Sequence, residues 1–288
     1  MIQKLAVIGL GLIGGSLARD LRASGFAKSI AGFDLDAGQV DAALQLGVID
    51  TAGRTAAEAV TDADMVVVAV PVLHTADALR ELLPGLSQGA TVTDVGSTKQ
   101  SVLRDIGRVC GALPPWFVAG HPIAGTEKSG VANSLTGLFK GHRVILTPHA
   151  AQDAQAQARV AAMWQSAGAR VVQMNPDQHD QIFAATSHLP HLLAYSYVDM
   201  LDRLDAQHEI FPNAGGGFRD FTRIASSSPQ MWHDVVRANK DSVSTLLGKQ
   251  IDELQILRQM IEQERWDEVY QLFRRARAAR ERYLAKIE

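Results

Sequence analysis

The sequence lacks several features that would indicate a membrane, a nucleic acid or an oxidising compartment. Its one cysteine, Cys110, excludes an internal disulfide, so nothing marks an oxidising compartment. Lys and Arg number 28 against 31 Asp and Glu, which leaves no basic surplus for a polyanion. No run of about 18 apolar residues is present to span a bilayer. We therefore expect a cytoplasmic protein that acts on small molecules, with no nucleic-acid or membrane partner.

The chain does have the length and composition of two globular domains, with 288 residues of which 47% are hydrophobic. Short runs rich in Val and Ile alternate with helical patterns as far as Met174, which predicts a parallel sheet with crossover helices. The predicted strands are 4–8, 29–34, 65–70, 91–94, 117–119, 143–147 and 170–172. The later spacing predicts helices over 191–204, 241–264 and 266–287, with loops at 215–217 and 226–228. We expect an α/β domain over residues 1–173 and an all-α domain over residues 174–288.

A glycine-rich turn follows the first predicted strand, with Gly9, Gly11 and Gly14 in the spacing of a dinucleotide-binding loop. Such glycines permit a tight turn, the approach of a pyrophosphate and close packing of helix on strand. The second strand ends at Asp34, whose carboxylate suits ribose hydroxyls and repels a 2′-phosphate, which favours NAD over NADP. A glycine turn in an unrelated αβ protein is the alternative. We predict an α/β N-terminal Rossmann-type domain that binds NAD through Gly9, Gly11, Leu12, Ile13, Gly14, Asp34, Val70 and Pro71.

Two further segments carry side chains suited to chemistry. Ser97 follows a predicted strand, at the edge where ligands bind in open α/β sheets, although it could instead cap a helix that begins at Lys99. His121 and Glu127 stand in residues 121–130, a stretch of glycine and small residues typical of a rigid active-site loop. Histidine can take a proton near neutral pH, as the oxidation of a hydroxyl requires. A structural histidine satisfied by its neighbours is the alternative.

Taken in order, five segments resemble the prephenate/arogenate (cyclohexadienyl) dehydrogenase family. They are Gly-Leu-Gly-Leu-Ile-Gly-Gly-Ser at 9–16, Asp-Val-Gly-Ser-Thr-Lys at 94–99, His-Pro-Ile-Ala-Gly at 121–125, Ser-His-Leu-Pro-His at 187–191 and Gly-Gly-Phe-Arg-Asp-Phe-Thr-Arg-Ile-Ala at 216–225. Each segment alone is weak evidence, but their order is specific. The resemblance implies NAD-dependent oxidative decarboxylation of prephenate, of arogenate or of both, in tyrosine biosynthesis and with no metal.

The resemblance also implies roles for single residues. His121 would be the base on the ring 4-hydroxyl, and Ser97 would orient that hydroxyl. Arg223 would hold a substrate carboxylate with its planar fork, unless it is a surface residue. His188 and His191, three apart, share a helical face, and we prefer substrate contacts to a metal site for them because no further ligand stands close in sequence. The full set of expected substrate contacts is Arg223, His188, His191, Thr126, Glu127 and Arg219.

Finally, the resemblance implies a homodimer that interlocks through an all-α C-terminal dimerisation domain, with helices from Asp241 onward. We expect no regulatory domain after Glu288 and no further catalytic segment before Met1. Two other functions stay open: another Rossmann hydroxyacid dehydrogenase, which needs neither the 121–125 segment nor 218–223, and a non-catalytic NAD-binding sensor. The preference between prephenate and arogenate also stays open, as does the carboxylate that each of Arg219 and Arg223 would meet.

Overall fold

The computed structural model describes the backbone of residues 1–287 and the side chains of all of these except 206–208, 286 and 287. The chain forms two compact units, Met1–Lys240 and Asp241–Glu288. The domain boundary expected at residue 174 is the point where the strands end and the helices begin. As a boundary between domains it stays a prediction. Among the described residues, no helix combines the length and the apolarity needed to cross a membrane.

A six-stranded parallel sheet forms the centre of the first unit. Its strands are β1 Ile2–Ile8, β2 Ala27–Phe33, β3 Thr51–Ala52, β4 Met65–Val68, β5 Thr91–Asp94 and β6 Phe117–Val118. They lie in the order β3-β2-β1-β4-β5-β6, so the order reverses between β1 and β4. Such a reversal opens a crevice at the carboxyl ends of the strands, where nucleotides bind in folds of this kind. The predicted class of an α/β N-terminal domain followed by a helical C-terminal part is confirmed.

Helices cover both faces of this sheet. They are α1 Leu12–Ala23, α2 Ala37–Gln45, α3 Ala56–Val60, α4 Thr75–Leu82 and α5 Gln100–Cys110. Leu5 and Val7 of β1 are buried in one cluster with Leu17 of α1. The alternate residue Ile8 points to the opposite face, in a second cluster with Leu79 of α4. Burial on both faces explains why these strands appear in the sequence as nearly continuous apolar runs.

The last three strands form a second sheet and do not extend the first. They are β7 Gly120–Pro122, β8 Arg143–Leu146 and β9 Arg170–Gln173, with helix α6 Ala154–Ser166 between the last two. β7 runs antiparallel to β8, and β8 runs parallel to β9. The expectation of one parallel sheet was wrong for these strands. Only Ala119 separates β6 from β7, so the chain passes from one sheet to the other within a single residue.

The rest of the first unit is helical, with α7 Pro176–Phe183, a π-helical turn Ala184–His188, α8 Leu189–His208, α9 Gly216–Thr222 and α10 Pro229–Ala238. The second unit contains most of α11 Lys240–Glu262 and all of α12 Trp266–Ile287. The helices predicted from spacing are therefore present. The loop predicted at 215–217 was wrong in part, because Gly216 and Gly217 form the first turn of α9. Ser228 ends the second predicted loop and caps α10, its side chain accepting the Met231 N–H.

Candidate active site

A cavity of about 370 Å³ opens at the carboxyl ends of the central strands. Five of the predicted cofactor residues line it: Gly9, Gly11, Asp34, Val70 and Pro71. Leu12, Ile13 and Gly14 lie in the first turn of α1 and do not line the cavity. The Leu12 side chain is buried, and the Ile13 side chain packs against the core. Any contact of these two with a ligand in the cavity would therefore come from their backbone.

The glycines of the loop are required by the space around them. Gly9 has φ +98°, and a Cβ there would lie 2.5 Å from the carbonyl oxygen of Ala69. A Cβ on Gly14 would lie 2.2 Å from the carbonyl oxygen of Gly9, whereas one on Gly11 would have no heavy atom within 4 Å. Gly11 precedes α1, which has no side-chain cap and no acidic residue in its first turn, so its first N–H groups are available to an anion. The loop fits a pyrophosphate.

Carboxylates surround the other end of this cavity. Asp34 follows β2 directly, and its two oxygens accept the backbone N–H groups of Leu10 at 2.7 Å and Asp36 at 2.9 Å. Asp77 and Glu81 of α4 also line the cavity, and none of its described lining residues is Lys or Arg. These carboxylates repel a 2′-phosphate, which no described lysine or arginine of the lining would neutralise. Their oxygens can accept hydrogen bonds from ribose hydroxyls. The cavity therefore fits NAD.

A second cavity, of about 450 Å³, lies beside β7. Six of the predicted catalytic and substrate residues line it: Ser97, His121, Thr126, Glu127, His191 and Arg223. The lining residues described do not include His188 or Arg219. Several other lining residues carry no recognisable signal in the sequence, among them Leu138, His142 and Phe183. Trp232, whose residue type fits a buried core position equally well, lines it too. Five separate segments of the chain thus meet at this cavity.

His121 lies in the middle of β7, where pairing with β8 fixes its backbone. Its Nδ1 lies 2.9 Å from Nε2 of His179, and its ring meets the Phe183 ring edge-on with centroids 4.9 Å apart. Burial lowers the pKa of His121 well below its usual value, and the neighbouring His179, Lys99 and His188 lower it further. The imidazole is therefore neutral near pH 7 and able to accept a proton.

His179, on α7, connects His121 to a buried carboxylate. Its Nδ1 lies 2.7 Å from Oδ1 of Asp180. The same carboxylate accepts the backbone N–H groups of Lys99 at 2.8 Å and of Gln100 at 2.9 Å, at the start of α5. Asp180 thus satisfies the first donors of this helix, and the suggested capping role of Ser97 was wrong. The Ser97 side chain makes no hydrogen bond to any described residue and lines the cavity.

A buried ion pair joins the end of β5 to the start of β7. The Lys99 ammonium is fully buried and donates to Asp94 Oδ2 at 2.5 Å and to the Gly120 carbonyl oxygen at 2.6 Å. Burial lowers the pKa of Lys99, and the adjacent Asp94 opposes that shift. Because Gly120 directly precedes His121, this pair fixes the strand that carries the histidine. Removing one partner would leave a buried charge, at a cost of about 3–5 kcal/mol.

The two histidines around the start of α8 have different surroundings, because His188 ends the π-helical turn and is buried, whereas His191 lies in the first turn of α8 and lines the cavity. His188 is 1% exposed, its Nδ1 lies 3.2 Å from Asn239 Nδ2, and burial lowers its pKa to about 4. His191 donates from Nδ1 to the Ser187 carbonyl oxygen at 2.8 Å and stacks on Trp232 with centroids 3.6 Å apart. Within the described part of the chain, no group of three or more His, Cys, Asp or Glu side chains is placed to hold a metal.

Of the two predicted arginines, Arg223 lines the cavity and Arg219 is not among the lining residues described. Arg223 begins a 3-10 turn after α9 and lines the cavity, and no described carboxylate forms an ion pair with it. Arg219 is exposed on α9. Glu127, the acidic residue of the lining, is exposed on the loop after β7. The cavity therefore offers a guanidinium free to meet an anionic ligand.

Known proteins match both halves of the chain. Residues 17–173 match the family model for the prephenate dehydrogenase nucleotide-binding domain, and residues 175–275 match the model for the prephenate dehydrogenase dimerization domain. The prephenate dehydrogenase of Bacillus subtilis is 38% identical over 285 residues, which cover 98% of this chain and 76% of that protein. The cyclohexadienyl dehydrogenase of Zymomonas mobilis is 34% identical over 283 residues, covering 97% and 96%.

A solved structure is similar over almost the whole chain. It is the prephenate dehydrogenase from A. aeolicus in complex with hydroxyphenyl propionate and NAD+. The TM-score is 0.90 at 37% identity, and the match covers 97% of this chain and 98% of the other. The resemblance noted in five sequence segments is thereby confirmed. The chain belongs to the prephenate dehydrogenase family.

Proposed function

We propose that this chain oxidises prephenate, arogenate or both with NAD, releasing carbon dioxide, in the cytoplasmic synthesis of tyrosine. The observation that carries the proposal is the cavity where His121, Ser97 and Arg223 meet. A neutral histidine, a hydroxyl and a guanidinium that forms no ion pair with a described residue are the groups that a hydroxylated, carboxylate-bearing substrate needs. Membership of the family supports the choice of substrates.

The chemistry sets what the cavity must do. Prephenate is a cyclohexadiene with a 4-hydroxyl, a ring carboxylate and a pyruvyl side chain, and arogenate has an amino acid side chain in place of the pyruvyl group. A base must take the hydroxyl proton, and loss of the ring carboxylate restores aromaticity and drives the reaction. NAD, when bound at the glycine loop, supplies the acceptor for hydride.

The residues of the substrate cavity divide this work. His121 accepts the hydroxyl proton, which its low pKa permits because the ring stays neutral near pH 7. Ser97 hydrogen-bonds the same hydroxyl and orients it. Arg223 pairs with a substrate carboxylate through two parallel hydrogen bonds. His191, held in place by Ser187 and by the Trp232 ring, contacts the substrate from the α8 side.

The remaining predicted contacts are supported to different degrees. Thr126 and Glu127 line the cavity and are proposed as substrate contacts. His188 is buried behind the cavity, where it helps to keep His121 neutral. Nothing in the cavity of a single chain supports a substrate contact for Arg219, and that role stays a prediction.

The cofactor would be held by backbone and carboxylate groups. The free N–H groups at the start of α1 would meet the pyrophosphate. The Asp34 carboxylate would accept from the adenosine ribose hydroxyls. Val70 and Pro71, at the wall of the cavity, would contact the adenosine or the nicotinamide ribose.

We also propose that two copies associate through the second unit. Its two helices expose large apolar side chains that a lone pair of helices does not need, among them Ile251, Leu254, Ile261, Trp266, Tyr270 and Phe273. The family model that matches residues 175–275 is described as a dimerization domain. Sedimentation equilibrium should give twice the chain mass of 31.1 kDa, and a monomer at micromolar concentration would contradict the homodimer.

The test of the reaction is the initial rate of NADH formation with prephenate and with arogenate, each with NAD and with NADP. Turnover of at least one substrate with NAD supports the proposal, and the ratio of the two kcat/KM values gives the side-chain preference. NADH binding without turnover of either substrate would favour the sensor. Turnover of a small hydroxyacid instead would favour another dehydrogenase.

A further inference from the structure

Behind the substrate cavity, three side chains form one continuous hydrogen-bonded series, His121, His179 and Asp180. The histidine rings are joined from Nδ1 of His121 to Nε2 of His179 at 2.9 Å, and Nδ1 of His179 reaches Asp180 Oδ1 at 2.7 Å. His179 is fully buried and Asp180 is 3% exposed, so water does not compete for these bonds. The substrate cavity is at the His121 end of the series and the start of α5 is at the other.

The direction of each hydrogen bond in this series follows from its carboxylate end. Both oxygens of the Asp180 carboxyl group accept backbone N–H groups, Oδ1 from Lys99 and Oδ2 from Gln100, and Oδ1 also accepts from His179. His179 must therefore carry its proton on Nδ1, and because burial lowers its pKa, the ring is neutral and its Nε2 is a bare acceptor.

The same reasoning then applies to His121. Its Nδ1 faces the bare Nε2 of His179, and a hydrogen bond between them requires the proton to be on Nδ1 of His121. In a neutral ring the other nitrogen then has no proton. Nε2 of His121 has no hydrogen-bond partner among the described residues, and the ring lines the cavity. The lone pair of the ring therefore belongs to the nitrogen that is left for the substrate.

We propose that His179 and Asp180 are positioning residues, which hold the His121 proton on Nδ1 and so present Nε2 as the acceptor for the substrate hydroxyl. The inference rests on the proposed function for the identity of that hydroxyl. In the step, the substrate O–H bond breaks and an N–H bond forms at Nε2 of His121. The protons on Nδ1 of both histidines stay where they are.

The series also responds to the charge that this step creates. The new imidazolium at His121 already donates through Nδ1 to His179, whose other nitrogen donates to the Asp180 carboxylate. The other groups facing His121 are the Lys99 ammonium, which disfavours the charge, and the neutral His188. Lys99 is itself paired with Asp94. Asp180 is thus the anion reached from His121 through hydrogen bonds alone.

The chain contains a matched pair that lacks this connection. His233 and Asp234 are also adjacent in sequence, with Nδ1 and Oδ1 2.9 Å apart, as in His179 and Asp180. The His233 side chain is 61% exposed and makes no contact with His121. A change at His233 therefore breaks the same local pair without touching the base.

The first experiment compares His179→Leu, His179→Gln and His233→Leu by steady-state kinetics and thermal unfolding. Leu removes the acceptor for His121 Nδ1, and we expect kcat to fall about 10²-fold, with KM changed less than about threefold. The Gln side-chain oxygen can still accept that bond, so we expect recovery to within about tenfold of wild type. His233→Leu should match wild type. Equal kcat values in wild type and His179→Leu would overturn the proposal.

The second measurement reads the tautomer without any turnover. In protein labelled with ¹⁵N-histidine, the resonances of His121 are identified from their absence in His121→Asn. We expect a protonated Nδ1 and a bare Nε2 in wild type, and a mixture or the opposite tautomer in His179→Leu.

If the Leu variant does not fold, the test rests on wild type and His179→Gln, and both must show the proton on Nδ1 of His121. A wild-type proton on Nε2, or a His179→Leu variant with low kcat and an unchanged tautomer, would overturn the proposal. If wild type turns over neither substrate, the proposed function fails, while the tautomer still tests the positioning.

Discussion

The two cavities of the first unit are assembled in opposite ways. The cofactor cavity uses the ends of neighbouring strands β1, β2 and β4, and the loop that meets the pyrophosphate acts through backbone groups. The substrate cavity collects side chains from five segments between Ser97 and Trp232. Cofactor recognition therefore depends on backbone positions where only glycine fits. Substrate chemistry depends instead on contacts between residues far apart in the chain.

The largest expected effect separates chemistry from cofactor binding. His121→Asn removes the proton acceptor, and we expect kcat to fall by about 10³-fold. The affinity for NADH, measured by fluorescence titration, should change less than about twofold because His121 does not line the cofactor cavity. A parallel loss of NADH affinity would show that the two cavities are not independent.

Arg223→Gln tests the charge of the substrate cavity. The guanidinium has no described ion-pair partner to lose, so the change should leave the melting temperature near that of wild type. We expect KM for prephenate to rise about 10²-fold, because charge-assisted hydrogen bonds to a carboxylate are lost. Arg54→Gln, at an arginine whose side chain is 91% exposed, is the control. An unchanged KM in Arg223→Gln would remove this residue from the substrate site.

Acid should destabilise the substrate side of the molecule. His188 titrates near its usual value in the unfolded chain, but at about 4 in the folded one. As the pH falls below about 6.5, the unfolded chain binds this proton while the folded chain does not. The contribution of His188 to the unfolding free energy is therefore complete above that pH and is lost as the pH falls towards 4. The loss is on the order of 3 kcal/mol by urea unfolding. His188→Asn should flatten this pH dependence, and His74→Asn, at an exposed residue of the cofactor cavity, should not.

Two glycines of the loop are expected to have different roles. Gly14 is needed for helix α1 to pack against the loop, and Gly11 leaves room for the ligand. Gly11→Ala adds a Cβ with no described heavy atom within 4 Å, so we expect an unchanged melting temperature and about tenfold weaker NAD binding. Gly14→Ala drives a Cβ into the Gly9 carbonyl, so we expect a loss of about 1–3 kcal/mol in unfolding free energy. Calorimetry and NAD titration separate the two. The reverse pattern would contradict the assignment of the open side to the pyrophosphate.

The smallest effect concerns the choice of cofactor. Asp34→Asn removes a negative charge from the ribose end, where Asp77 and Glu81 remain. We expect the ratio of kcat/KM for NAD over NADP to fall by about fivefold, since one charge-assisted hydrogen bond is lost and one repulsion is relieved. An unchanged ratio would place the ribose elsewhere in the cavity.

The difference between the cavities also explains what the sequence could reveal. The glycine loop and Asp34 could be predicted because a strand, a turn and a helix start lie together in the chain. Strand β7 was missed, since Gly120–Pro122 is three residues long and too short to show an alternating pattern. His179 could not be found, because its partner His121 is 58 residues away.

Ser97 also shows that a partner distant in the sequence cannot be predicted from local spacing. Local spacing made it a reasonable helix cap, yet the donors of α5 are satisfied by Asp180, 80 residues from Gln100. A helix start can be recognised in sequence, but a cap that arrives from another helix cannot. Of the two histidines in the 187–191 segment, only tertiary packing decides that His191 lines the cavity and His188 does not.

The bond between His121 and His179 has a consequence for protein engineering. It crosses the point where the two family models adjoin, between residues 173 and 175. A chimera joined there would combine a base from one parent with orienting groups from another. Crossover after α7, at Phe183, would transfer the base and its orienting groups as one block. The exchange boundary that keeps the catalytic groups together therefore lies about one helix beyond the point where the two family models adjoin.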